Sequence, residues 1–203
     1  MRTPTGPARG AEREHLRAGL AQPPQQAARF LLGQILVRRG RRPLAARIVE
    51  TEAYLGEGDP AAHSFRGPTP RTRPLWGPPG TVYVYFIYGM HHCLNVVAGE
   101  EGNPQAILLR ATTSPDGTPA SGPGRLCRAF RVDRSLDGAS LVDDALWIEG
   151  GTRLAERAVR RTRRIGVDYA GAWARRRLRF VVAGHPDLSG PKAFNGAGSR
   201  TRG

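Results

Sequence analysis

The sequence predicts an α+β fold, a single mixed domain around a mainly antiparallel, curved β-sheet with a protruding β-hairpin. Three observations carry this. Runs of strand length rich in β-branched and aromatic residues, Leu44 to Tyr54, Thr81 to Tyr88 and Gln105 to Thr112, are bounded by turn residues. Thr81 to Tyr88 and Cys93 to Ala98 are separated only by a turn containing Gly89, which makes an antiparallel ribbon with an aromatic tip. The 203 residues, 39% of them hydrophobic, suffice for one substantial core and show no internal repeat.

Each element has its own signal. Residues 1–24 mix Arg, Glu, Gly and Pro without sustained periodicity and are expected to form a mobile N-terminal segment. The domain spans 25–187, and residues 188–203, rich in Gly, Pro, Ser and Arg, form a flexible tail. Within the domain, Gln25 to Leu32 make a short helix after the Pro23-Pro24 stop, and strands follow at Gln34 to Arg38 and Leu44 to Tyr54 around a Gly40 to Pro43 turn. Leu55 to Gly80 carries six prolines and is long for a structureless connection, which marks it as a functional loop. After the three strands Thr81 to Tyr88, Cys93 to Ala98 and Gln105 to Thr112 come a helix at Gly124 to Phe130 and strand pieces at Leu146 to Ile148 and Leu178 to Val182.

Charge narrows the class of partner. The formal net charge is +14, which generates a field attractive to polyanions, and nucleic acid is the natural one. A charge excess serving only solubility, or a basic tail, is the plainer account. Clusters at Arg38 to Arg42, Arg71 to Arg73, Arg160 to Arg164 and Arg175 to Arg179 spread too widely for a tail alone. No stretch reaches the roughly 18 apolar residues of a membrane span, and the N-terminus lacks the apolar segment of a secretory signal. The chain is therefore expected in the cytoplasm, on the nucleoid if its source is bacterial, and as a monomer. Cys93 and Cys127 are too few for a disulfide framework and lack zinc-pair spacing, so both read as reduced, buried small hydrophobes.

Two groups of residues suggest chemistry. Alternation along Arg47 to Tyr54 places Glu50, Glu52 and Tyr54 on one strand face, and carboxylates in a partly apolar setting suit general acid/base work. Taken alone, that pattern fits better an edge strand guarded by charge. His63 in the loop and Tyr83 and Tyr85 on one face of the ribbon offer flat walls with polar edges for an extruded base, while Tyr88 and Met90 beside Gly89 suit a wedge. Cross-strand core pairs are the blander reading of the tyrosines.

Val49 to Gly56, Ala61 to Ser64 and Pro79 to Met90 resemble the signature segments of the alkyladenine (3-methyladenine, methylpurine) DNA glycosylase family. The resemblance continues through Cys93 to Asn95, Leu108 to Ala111, Ser121 to Pro123 with Leu126-Cys127, and Ala170 to Arg175 with Leu178 to Phe180, covering about residues 28 to 184. Many segments matching in order make it specific. It implies a hairpin that enters the DNA minor groove, Glu52 as the base that deprotonates the attacking water, Arg110 holding water and carboxylate, and Glu50 outside the base role. It implies that Tyr54, His63 and Tyr85 line the base pocket, that Tyr88 intercalates, and that Asn95 gates the pocket against guanine, whose exocyclic amine would crowd it. His91 and His92 stand where aromatic residues are common in the family, and the Thr112 to Ala120 connection is short.

The resemblance thus implies a monofunctional enzyme of base excision repair acting on double-stranded DNA that contains damaged purines, with no cofactor and no metal. Bifunctional glycosylases attack with an amine, and Lys192, the single lysine among 31 basic residues, lies in the expected tail. Two rivals stay open on the residues alone. One is a metal-dependent nuclease using Glu50, Glu52, Asp59 and His63; the other is a non-catalytic module gripping bent or single-stranded nucleic acid.

Overall fold

The computed structural model describes residues 10–141, 145–191 and 195. Helix α1 (Ala11–Leu20) buries Leu16 and Leu20, and α2 (Pro24–Leu31) buries Ala27, Ala28 and Leu31. The sequence before Gln22 carries no sustained periodicity, so α1 departs from the expected mobile segment. Gly10 offers no side chain to cap the helix, which removes the local start signal. Tertiary burial supplies what the cap does not: Leu20 is fully buried and its carbonyl accepts a hydrogen bond from Gly99 N–H at 2.9 Å.

Strands β1 (Ile35–Arg38) and β2 (Leu44–Tyr54) form the expected antiparallel hairpin. β3 (Val82–Ile87), β4 (His91–Ala98) and β5 (Gln105–Thr112) follow, then helix α3 (Pro123–Ala129), β6 (Leu146–Glu149), β7 (Val159–Thr162) and β8 (Arg179–Val182). The order β3-β4-β5-β2-β1-β6, with β8 also on β2 and β7 on β8, makes one eight-stranded sheet in which every strand pairing is antiparallel. The α+β class with a curved antiparallel sheet is what the sequence predicts. β7 was not: its Val-Arg-Arg-Thr run has too little apolar character to read as a strand.

β2 is the spine of the site. Residues 50–52 pair with β5 on one edge and with β8 on the other, so Glu50 and Glu52 sit in a central strand and the edge-strand alternative falls. A register shift around Glu50 bends the strand there. One face of the sheet packs Ile48, Val82, Val84, Leu94, Val96, Ile107 and Leu109 against α2 and α3. Truncating Ile48, Leu94, Ile107 or Leu109 to Ala costs about 2–5 kcal/mol in comparable cores. Cys93 and Cys127 are free and buried. Among the described residues no helix is long and apolar enough to cross a membrane.

The β3–β4 hairpin ends in a turn closed by Met90 N–H to Ile87 O at 3.3 Å. Tyr88 (φ 55°) and Gly89 (φ 66°) both lie in the left-handed region, which glycine adopts freely and tyrosine does not. Tyr88 is 82% and Met90 68% exposed, so the tip presents two large apolar side chains to solvent.

Candidate active site

Both acids of β2 are fully buried, and both bond to Arg110 of β5. Their surroundings differ. Among the described residues Glu50 receives four hydrogen bonds: Oε1 accepts from Arg110 Nε (2.9 Å), Arg179 Nε (2.7 Å) and Ser189 Oγ (2.7 Å), and Oε2 from Ser189 N–H (2.6 Å). Burial alone would raise its pKa. The hydrogen bond and charge of Arg179, the charge of Arg110 and the Ser189 amide outweigh burial and hold it below the usual carboxylate value.

Glu52 receives three among the described residues. Oε1 accepts from the Ile165 amide at 2.8 Å, and Oε2 from the Tyr54 hydroxyl at 3.0 Å and Arg110 Nη1 at 3.4 Å. Burial pushes the Tyr54 phenol well up, and the Glu52 charge adds to it, so Tyr54 stays a neutral donor. Arg110 would lose pKa by burial, but Glu52 and Glu50 together keep it raised and charged.

Next to this pair opens a cavity of about 1070 Å³. Tyr54, His63, Tyr85, Asn95 and Arg110 line it, and Tyr88 and Met90 stand at its outer part. The His63 and Tyr85 ring centroids are 4.2 Å apart, and His63 Nδ1 lies 3.0 Å from the Tyr83 hydroxyl. Burial, followed by the charge of Arg71, lowers the His63 pKa, so the ring is neutral near pH 7. Burial pushes the Tyr83 phenol up to about 12 and raises Tyr85 further. Asn95 donates from Nδ2 to the carbonyls of Tyr83 (3.2 Å) and Cys93 (3.4 Å), which fixes its amide at the cavity wall. The structure therefore brings Tyr54, His63, Tyr85, Asn95 and Arg110 to one cavity, with Glu52 buried behind its wall and bonded to Tyr54 and Arg110. At the tip, His91 is exposed and His92 lies 4.9 Å from the Phe86 ring.

Several residues of the site escape the sequence. Ser189, placed by its sequence in a tail outside the domain, is buried and completes the shell of Glu50. Arg179 and Arg164, grouped by sequence with surface clusters, are also buried. Arg164 Nη2 donates to Asp59 Oδ1 at 2.9 Å, and the guanidinium lies 4.6 Å over the Tyr54 ring. Asp59 also accepts from the amides of Leu55 and Ala61, anchoring the start of the 55–80 loop. These partners lie 105 to 139 residues apart, beyond any local spacing rule. Asp59 is thus committed to Arg164, and Glu50 to two arginines. Among the described residues, no three His, Cys, Asp or Glu side chains converge in a way that could hold a metal ion, as the nuclease reading requires. Lys192 lies outside the described residues.

The sequence is similar to those of known proteins. A sequence model described as methylpurine-DNA glycosylase matches residues 18–186. A relative from Anaeromyxobacter dehalogenans (strain 2CP-1 / ATCC BAA-258) is 50% identical over 175 residues, 84% of this chain and 83% of that one. The human DNA-3-methyladenine glycosylase is 43% identical over 196 residues, covering 83% of this chain and 65% of the human protein. The mouse protein of the same name is 42% identical over 197 residues, 83% of this chain and 59% of its own.

Proposed function

Because the chain belongs to the methylpurine-DNA glycosylase family, we propose that it is a monofunctional DNA glycosylase of base excision repair. It turns damaged purines out of duplex DNA and hydrolyses the N-glycosidic bond with a water activated by Glu52, leaving an abasic site. Its substrates are 3-methyladenine and other alkylpurines, extending to hypoxanthine and ethenoadenine.

The observation that carries this reading is the position of two neighbouring carboxylates relative to the cavity. Glu52 is bonded to Tyr54, Arg110 and Ile165, all of which line the cavity, whereas of the described partners of Glu50 only Arg110 does. Glu52 is then the acid held at the cavity wall, and Glu50 the one that holds Arg110 from behind.

The remaining roles follow from the same geometry. Arg110 and Tyr54 aim the Glu52 carboxylate, and its charge stabilises the positive charge that develops on the sugar as the bond to the base breaks. The proton leaves water for Glu52 while oxygen bonds to C1′ and the bonding pair departs with the purine. Alkylation at a ring nitrogen already makes the base a good leaving group, so holding and orienting it is most of the work. Tyr54, His63 and Tyr85 offer π faces that attract a cationic methylpurine, and a neutral His63 adds no repelling charge. Tyr88 fills the gap left in the stack, and Asn95 disfavours the exocyclic amine of guanine.

Glu52→Gln tests the assignment. Release of 3-methyladenine from alkylated duplex should fall by about 10²–10⁴-fold, the usual range for losing a general base, with lesion binding kept. Release at the wild-type rate would sink it. Borohydride added during turnover should trap no covalent protein–DNA adduct, since water and not an amine attacks.

A further inference from the structure

The cavity beside Glu52 extends well beyond what one base fills. From the aromatic slot it continues as a groove between the β3–β4 hairpin and the α3 segment, lined by Tyr88, His91 and His92 on one side and Arg125, Arg128 and Arg131 on the other. All three arginines are exposed, and among the described residues none takes part in an ion pair, in contrast to the buried Arg110, Arg164 and Arg179. Asp133 lines the same stretch, and its carboxylate caps the following turn through the Ser135 amide at 2.9 Å.

A second, independent observation singles out Arg131. α3 ends in a Schellman arrangement, with Val132 N–H to Cys127 O at 2.8 Å and Arg131 N–H to Arg128 O at 3.2 Å. That geometry puts Arg131 in the left-handed region, at φ 52°, where glycine is the ordinary occupant. Apart from Tyr88 at the hairpin tip, it is the one non-glycine residue with positive φ among those described, and both line the groove. Non-glycine residues in such conformations concentrate where function holds them.

The covalent structure of DNA says what must lie in the groove. An extruded purine stays attached to its sugar, so the strand that carries it passes the mouth of the slot, and its flanking phosphates lie beside the hairpin. We propose that Arg125, Arg128 and Arg131 grip the phosphates of the lesion-bearing strand next to the extruded nucleotide, with Arg131 held by its backbone conformation at the closest of these contacts. This rests on the glycosylase reading of the same cavity. Arg131 is a positioning residue: it registers the strand and takes no part in bond breaking.

The test uses the full chain and a fluorescein-labelled duplex carrying one ethenoadenine. Arg131→Gly removes the side chain and installs the residue the backbone favours, so the melting temperature stays level or rises while lesion binding weakens several-fold. The slope of log affinity against log salt becomes shallower by about one, the signature of one lost phosphate contact. Arg125→Gln flattens the slope in the same way. Replacing the phosphate beside the lesion by a neutral methylphosphonate weakens wild-type binding and leaves Arg131→Gly unaffected; on the complementary strand the same replacement affects both proteins equally. Wild-type affinity and slope in Arg131→Gly would overturn the contact, and coupling to the complementary strand would overturn the strand assignment. Wild-type protein that releases no base from any damaged duplex would instead overturn the glycosylase reading itself.

Discussion

At the scale of single residues the site is organised by how two carboxylates, two atoms' reach from one arginine, divide their hydrogen bonds. Under the proposed roles Glu50 is the structural member, and its removal should separate stability from chemistry. Glu50→Gln removes the carboxylate from buried Arg179 and leaves Arg110 with Glu52 as its acid; breaking a buried pair in comparable sites costs about 3–5 kcal/mol, read as a lower urea midpoint. The pH dependence has a definite sign. A folded pKa below the unfolded value of about 4.3 contributes stability that is fully present above that value and drains away as pH falls through it toward the depressed value. Wild-type midpoints should therefore decline on acidification below about pH 5, and Glu50→Gln should decline less steeply; equal acid limbs would refute the assignment. The sequence carries half of this arrangement. Strand alternation puts Glu50, Glu52 and Tyr54 together because the period of two is local. Ser189, Arg179 and the Ile165 amide reach the same carboxylates only through chain closure, so no spacing rule could find them.

At the scale of elements, the β3–β4 hairpin combines a core face with an unprotected tip. Val82 and Val84 anchor it in the main core, Tyr83 and Tyr85 turn to the cavity, and alternation made the shared face of the two tyrosines legible. The tip is different, since nothing in periodicity explains a tyrosine in a left-handed turn position followed by an exposed methionine. The two effects of Tyr88 can be pulled apart by Tyr88→Gly. Removing the Cβ relieves backbone strain of order 1 kcal/mol, so thermal stability holds or rises. The ring proposed to intercalate is lost, and affinity for lesion duplex should drop by tenfold or more while binding to single-stranded DNA changes little. Loss of thermal stability with unchanged lesion affinity would make Tyr88 a fold residue and remove the wedge. α3 approaches this hairpin closely because residue 124 is glycine: a Cβ there would sit 3.0 Å from His91 Cγ. That fit, like helix α1 with its uncapped start, belongs to tertiary packing and leaves no trace in local pattern.

At the scale of the whole molecule, the site closes only when the far C-terminal part of the domain folds back onto β2. β8 pairs with Glu50 to Glu52, and beyond Arg179 the chain delivers Leu188 to a small buried cluster and, ten residues on, Ser189 to Glu50. Ending the chain at His185 removes both. Two hydrogen bonds to a buried charge are each worth about 1.5–3 kcal/mol, and burial of a leucine about as much. Together they approach the 5–15 kcal/mol that holds a typical domain folded. The shortened protein should thus unfold at much lower urea than the full chain and release no base at temperatures where the full chain works. Ser189→Ala, which keeps the amide to Glu50 Oε2 and loses only the hydroxyl, should fall between them. A variant ending at His185 that kept the wild-type midpoint would show that the segment decorates the domain. The predicted loss instead makes it the last piece that orders Glu50 and, through Glu50, Arg110, the residue that also bonds to Glu52.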